Sequence, residues 1–161
     1  MNKVILIAGG WRLWNQLDVA DVNSIVSAKA LIEKEAGHID ILVNNAGTAV
    51  MTKRQSATDV DVVVREACEV NLFGLIQTAT TFLPLLLKSS KPNILSISTD
   101  IASNTYQASP DSQLHVVAYN TSKAATNSYT IALANELKGK AIVNALTPEF
   151  TTTKLNGYAL I

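Results

Sequence analysis

Four short apolar runs, separated by stretches of helical pattern, constrain this chain more than any other feature. Val4-Ile5-Leu6-Ile7 is β-branched and leucine throughout and is bounded by Gly9-Gly10, the pattern of a strand covered on both faces in a parallel sheet. Ile39 to Val43, Asn93 to Ser98 and Ala141 to Leu146 repeat the pattern, and a further candidate, Leu13 to Leu17, closes with Asp18-Val19. Between them lie helices. Asp21 caps one whose apolar positions Val22, Ile25, Val26 and Ile32 follow the helical period and which stops at Gly37. From Thr58 to Lys88 the pattern is helical, interrupted at Asn71 and again at Pro84. Its second half is apolar nearly all round, so Leu72 to Leu87 reads either as part core and part subunit interface or as plain core. Thr99 to Ala118 reads as a long polar loop of the lid kind, and the helix after Tyr119 carries Ala125, Ile131, Ala132 and Leu137 as far as Gly139. Strands alternating with helices predict an α/β fold, a doubly wound, mostly parallel sheet in one domain over 1–161, with its ligand at the carboxyl ends of the strands.

Composition narrows the function classes. Nearly half of the 161 residues are hydrophobic, enough to bury a core, and thirteen acids balance thirteen bases. There is no basic field for nucleic acid and no acidic tail. The lone Cys68 lies in a helical pattern and predicts a buried, inert thiol in a reducing compartment. Val4 to Ala8 is too short for a secretory or membrane segment, so a cytoplasmic protein without membrane or nucleic-acid partners is expected. His38 and His115 have no ligand-spaced partners, and no metal site is predicted.

Tyr119-Asn-Thr-Ser-Lys123 carries the chemistry. Four residues apart on a helix, the phenol and the ammonium share one face. Bringing a tyrosine from pH ~10 to neutrality takes about 3 units, or ~4 kcal/mol. One cation at ~4 Å with an effective dielectric of about 20 supplies an attraction of that size.

Four motifs in order resemble the short-chain dehydrogenase/reductase family: Leu42-Val-Asn44-Asn45-Ala46-Gly47, Val70-Asn71-Leu72, Ser98-Thr99 at a strand end, and Ala118-Tyr119-Asn-Thr-Ser-Lys123. The agreement covers most of residues 16 to 156, and the long segment before Tyr119 is similar to carbonyl-reductase-like members. The resemblance implies a Rossmann-like sheet and an NAD(P)-dependent exchange of hydride with a small carbonyl or alcohol, NADP being favoured over NAD. It implies that Tyr119 is the general acid/base, that Lys123 lowers its pKa and binds the cofactor's ribose, and that Thr99 holds the substrate oxygen in place of the family's serine. It implies that the backbone carbonyl of Asn71 positions a water in a proton relay. Asn44, Ala46 and Gly47 would lie along the cofactor, and Asp18 and Val19 near its adenine, although Asp18 also suits a plain turn or cap. Pro148 and Thr153 would lie beside the nicotinamide, with Glu149 standing where the family has glycine.

The pattern departs from the family at both ends. Only Gly9-Gly10-Trp11 joins the first two strand candidates, so the glycine-rich phosphate turn, the first helix and the second strand are absent. A three-residue link reaches at most ~13 Å, short of the roughly 19 Å that a parallel return needs. Residues 1–17 are therefore expected off the family's path, with Val4 to Ile7 either displaced or paired antiparallel to Leu13–Leu17. The family's final strand is also missing, which reads as a shortened reductase sequence, through splicing, gene-model error or natural truncation. Two functions follow: a working oxidoreductase, or a non-catalytic protein that associates with a full-length relative. Open edges and apolar faces predict a homo-oligomer or a related partner subunit.

Overall fold

The computed structural model describes residues 3–9, 17–53, 55–58, 61–110, 112, 116–148 and 155. Strands β1 (Ile5–Ala8), β2 (Ile41–Asn44), β3 (Asn93–Ile97) and β4 (Ile142–Leu146) form one parallel sheet in that order. Helix α1 (Val22–Glu35) joins β1 to β2. A long helical passage, α2 (Asp61–Cys68), a π turn (Glu69–Gly74) and α3 (Leu75–Leu86), joins β2 to β3, and α5 (Val117–Glu136) leads to β4.

Local signals set these limits. The Asp21 carboxylate accepts from the Asn23 N–H at 2.9 Å and starts α1. Gly37, at φ +75°, ends it by donating to the Ile32 carbonyl at 3.1 Å. Leu6, Leu42, Ile94 and Val143 stand in register across the sheet and face Ile25 of α1 and Phe82, Leu85 and Leu86 of α3. This is the main core, and Phe82, Leu42 and Ile25 are fully buried in it.

The alternate residues of the same strands form the opposite face. Ile5, Ile41, Asn93 and Ile142 lie in one row, Ile7, Val43, Leu95 and Asn144 in the next, and Ile97 and Leu146 in a third. The outer ones are open to solvent: Ile5 is 53% exposed, Ile7 52%, Ile142 59% and Leu146 38%. Among the described residues the helices thus cover one side of the sheet only. The α/β, parallel, Rossmann-like arrangement is the one that the alternation of strands and helices predicts, here with the described helices on one side of the sheet.

Other expectations are corrected. Val4–Ile7 is not displaced: β1 pairs parallel with β2, Ile5 to Ile41 through Ala8 to Asn44. The hairpin partner Leu13–Leu17 lies outside the described residues apart from Leu17. Pro84 does not interrupt α3, which continues to Leu86 although the ring removes the bond that an N–H at this position would give the Thr80 carbonyl. Phe82, Leu85 and Leu86 of that run are core, whereas Phe73 and Leu87 are each 45% exposed. Val22 and Val26, assigned to the buried side of α1, are each 52% exposed, and Ile131 of α5 is 64% exposed. The loop from Thr99 contains a 3-10 turn (Asp100–Ala102) and the one-turn helix α4 (Asn104–Gln107), and α5 begins two residues before Tyr119. Cys68 is half-buried rather than buried, and burial followed by Glu69 pushes its thiol up in pKa.

Candidate active site

The site is assembled where α5, the π turn and the loop after β2 meet. Asn71 sits inside the π turn and is fully buried. Its side chain clamps that loop: Oδ1 accepts from the Thr48 N–H at 2.8 Å and Nδ2 donates to the Thr48 carbonyl at 2.8 Å. Nδ2 also donates to Ser122 Oγ at 2.8 Å, and Ser122 donates to the Tyr119 carbonyl at 2.9 Å. The π turn inserts an extra residue into the helix and loosens the regular bonding around it. Thr126 Oγ1 meets the Asn71 carbonyl at 3.0 Å. The carbonyl assigned to a relay water thus borders a protein hydroxyl, which also lies 2.9 Å from the Ser122 carbonyl, and keeps a second lone pair.

Tyr119 and Lys123 do share a face. The Lys123 ammonium lies 5.8 Å from the Tyr119 ring centroid and donates to the Ile97 carbonyl at 2.7 Å. Lys123 is 2% exposed, and burial lowers its pKa to about 8. Burial acts on Tyr119 in the opposite sense and raises the phenol above its ordinary value. The expected lowering by Lys123 is thus not present in this arrangement: desolvation outweighs a cation that is held on Ile97 rather than at the phenol.

Glycines admit the backbone here. A Cβ on Gly47 would lie 3.4 Å from Asn71 Oδ1 and 3.5 Å from Lys123 Nζ, so bare main chain borders both. Gly9, at φ +82°, is pressed against Ala46, whose Cα would be 2.6 Å from an added Cβ. The next residues are less regular. Val50 has φ +51°, a strained value for a β-branched side chain, and its carbonyl is held by Gln55 Nε2 at 3.2 Å. Gln55 Oε1 also accepts from the Ala118 N–H at 3.0 Å and ties this loop to the first turn of α5.

The remaining predicted residues are spread around this cluster. Thr99 is half-buried, two residues beyond the carbonyl that holds Lys123, and lines an open cavity of about 400 Å³ with Ser98, Asn127, Ile131, Leu146 and Thr147. Asn44 is buried at the end of β2, and neither its Nδ2 nor its Oδ1 has a hydrogen-bond partner. Asp18 is an exposed turn residue that accepts from the Ala20 N–H at 2.9 Å. Val19 is buried against Gly74, where a Cβ would lie 2.8 Å from its Cγ2. Pro148 is exposed, while Thr153 and Glu149 lie outside the described residues. His38 contacts Asp40 at 3.3 Å, and His115 is outside the described residues. Among the described residues, no three His, Cys, Asp or Glu side chains are grouped to hold a metal, and no helix is long and apolar enough to cross a membrane.

Sequence reasoning missed the hydroxyls that support the cluster. Ser122, Thr126 and Thr130 recur every fourth residue on α5 and are all buried. Thr130 reaches Ser96 Oγ at 3.2 Å. The i, i+4, i+8 spacing was available as a signal, but hydroxyl residues at that period read as a solvated face.

Comparison with known proteins decides the relationship. The family model described as short chain dehydrogenase matches residues 9–159. The chain belongs to this family. Among curated relatives, (+)-neomenthol dehydrogenase of Arabidopsis thaliana is 26% identical, and the match takes in 97% of this chain and 70% of the relative. That alignment runs over 208 positions, well beyond the chain's own 161 residues, so the relative has aligned stretches with no counterpart here. Among solved structures, the aldohexose dehydrogenase of Thermoplasma acidophilum superposes with a TM-score of 0.74 at 28% identity, covering 91% of this chain and 56% of that one. A Caenorhabditis elegans short-chain dehydrogenase/reductase, solved with cofactor, gives a TM-score of 0.68 at 27% identity over 83% of this chain and 48% of its own. Against these two structures the chain spans about half the family member's length.

Proposed function

We propose that the chain is an oxidoreductase that interconverts a small carbonyl compound and its alcohol, with Tyr119 as the proton-transfer group. The observation that carries this reading is the meeting of Tyr119, Lys123, Asn71 and the bare backbone of Gly47 on one family-typical framework. The residues fit the nicotinamide end of a dinucleotide cofactor. Main chain at Gly47 borders the lysine, and the Asn44 amide lies buried at the end of β2 with donors and acceptors unused. When bound, such a cofactor supplies or takes up the hydride. NADP is the favoured form, from the carbonyl-reductase-like segment before Tyr119.

In the reducing direction Tyr119 gives its phenolic proton to the substrate oxygen as hydride reaches the carbonyl carbon, so C=O becomes CH–OH. Thr99 donates a hydrogen bond to the same oxygen. For Tyr119 to work near neutrality, the Lys123 ammonium has to leave Ile97 and approach to ~4 Å, where its attraction offsets the burial cost. Asn71 keeps one carbonyl lone pair beside Thr126 for a relay water. Asp18 and Val19 serve the adenine end, Ala46 the middle, and Pro148 and Thr153 the nicotinamide. A non-catalytic role through association with a longer relative is favoured by one observation, the commitment of Lys123 to Ile97.

A titration with NADH and with NADPH tests the first reading, with melting temperature and tryptophan fluorescence as readouts. A ligand of the native state must raise the melting temperature. No shift with either cofactor at millimolar concentration removes the oxidoreductase reading, and turnover that survives Tyr119→Phe removes the role of the tyrosine.

A further inference from the structure

We infer that Gln55 is a positioning residue: from the loop after β2 it caps the helix that carries Tyr119 and so fixes where the phenol points. The inference rests on the reading of Tyr119 as the proton-transfer group. An α-helix leaves its first N–H groups without partners of its own, and a side chain just before the first turn ordinarily meets one of them. At the head of α5 that place belongs to Val116, whose side chain has no polar atom to offer. The Ala118 N–H is met instead by Gln55 Oε1 at 3.0 Å, from a position 63 residues earlier in the chain. Ala118 is fully buried, so water does not stand in for the glutamine.

The bond falls one residue before Tyr119, on a turn that the same loop also packs. The Ala118 side chain lies in a cluster with Val50, Val63 and Ala67, and Gln55 Nε2 donates to the Val50 carbonyl at 3.2 Å. One amide thus joins loop and helix with both of its ends. Other side chains do only part of this, since a glutamate accepts at both oxygens, a lysine only donates, and an asparagine is one methylene shorter. The two arms are unequal. The Val50 carbonyl also accepts from the Lys53 N–H at 3.1 Å and keeps that partner without Gln55. By contrast α5 itself gives the Ala118 N–H no acceptor, for its first turn-to-turn bond runs from the Asn120 N–H to the Val116 carbonyl at 2.8 Å. Releasing the Ala118 N–H strands a buried donor, and the strain is relieved when the first turn of the helix unwinds. Tyr119 sits in that turn. Lys123 lies a full turn further on and is anchored by the Ile97 carbonyl, so the lysine and the Gly47 backbone beside it keep their places.

The test compares wild type with Gln55→Met, which keeps the length and removes both arms, and with Gln55→Glu, which keeps the acceptor for Ala118 and removes the donor to Val50. The readouts are amide exchange at Ala118, ultraviolet titration of the Tyr119 phenol as the difference from Tyr119→Phe, and turnover with NADPH. In Gln55→Met, exchange at Ala118 should rise about tenfold, while the Thr48 amide held by Asn71 keeps its wild-type rate. The phenol should titrate lower than in wild type, toward its ordinary value, because the burial that raises it is relieved. The kcat should fall about tenfold or more with KM for NADPH within about twofold, the mark of a displaced reacting group rather than a lost cofactor contact. Gln55→Glu should stay within about threefold of wild type in exchange and in kcat. Should Gln55→Met lose the fold, Gln55→Asn, too short to span both partners, replaces it with the same expectations. Unchanged exchange at Ala118 overturns the cap, and faster exchange with an unmoved phenol or an unchanged kcat overturns its role in placing Tyr119. Equal losses in Gln55→Met and Gln55→Glu overturn the inference as well, since they trace to the Val50 arm. A wild type without turnover removes the oxidoreductase reading alone, and the exchange and phenol readouts then decide on Gln55.

Discussion

The two faces of the sheet are built from the same four strands and nearly the same residue types, yet one is a packed core and the other is open. Leu6, Leu42, Ile94 and Val143 meet α1 and α3, while Ile5, Ile7 and Ile142 one residue away meet solvent. The difference does not lie in the strands. It lies in where the described helices stand, since a strand's alternation assigns its side chains to two faces and only a second layer decides which are buried.

The largest effect that could break this comparison is a large-to-small change on each face. Phe82→Ala should cost about 3–5 kcal/mol in urea unfolding, whereas Ile7→Ala, measured below any associating concentration, should cost less than ~1 kcal/mol. Equal costs would mean that the open face is covered in the monomer.

A second test asks what the covered side tolerates. Lys123 titrates at about 8 in the folded chain against an ordinary lysine value of 10.5, so between these values the unfolded chain binds more protons. Stability should therefore rise with pH across that window, by up to about 3 kcal/mol from this group. Lys123→Met should be more stable than wild type below pH 8, and the advantage should shrink toward pH 10.5. A pH-independent difference would remove the buried cation as its cause.

Asn71→Ala should cost about 2 kcal/mol, because Thr48 and Ser122 lose their buried partner. Hydrogen exchange at the Thr48 amide should accelerate in step. The smallest expected change in stability is Gly47→Ala, within ~0.5 kcal/mol, since the new methyl meets Asn71 and Lys123 at ordinary contact distances. Its effect should appear in cofactor titration instead, as a weaker melting-temperature shift with NADPH. An unchanged shift would take Gly47 out of the cofactor contact.

The strands, the Asp21 cap and the break at Asn71 were legible because each rests on a local rule: apolar runs, a side-chain acceptor before a helix, and an amide in an otherwise apolar stretch. The one-sided covering was not legible, because a run such as Val4–Ile7 reports that both its faces are apolar and not what lies above them. The direction of the Tyr119 shift was hidden for a related reason. Spacing puts Lys123 on the right face, but the competition between the phenol and the Ile97 carbonyl for its ammonium is a tertiary matter. The hydroxyl ladder of α5 escaped because Ser122, Thr126 and Thr130 are polar residues used as core.

The π turn at Glu69–Gly74 has a consequence for the whole passage from β2 to β3. One surplus residue advances the angular phase of everything before it by about 100° relative to an uninterrupted α-helix. That offset lets α2 lie against α5 while α3 lies against α1 and β2. A single rod thereby changes neighbours midway without a loop. Deleting Leu72 would restore the phase and swing Val63 and Ala67 away from Ala118, dismantling the small cluster that seats the head of the tyrosine helix.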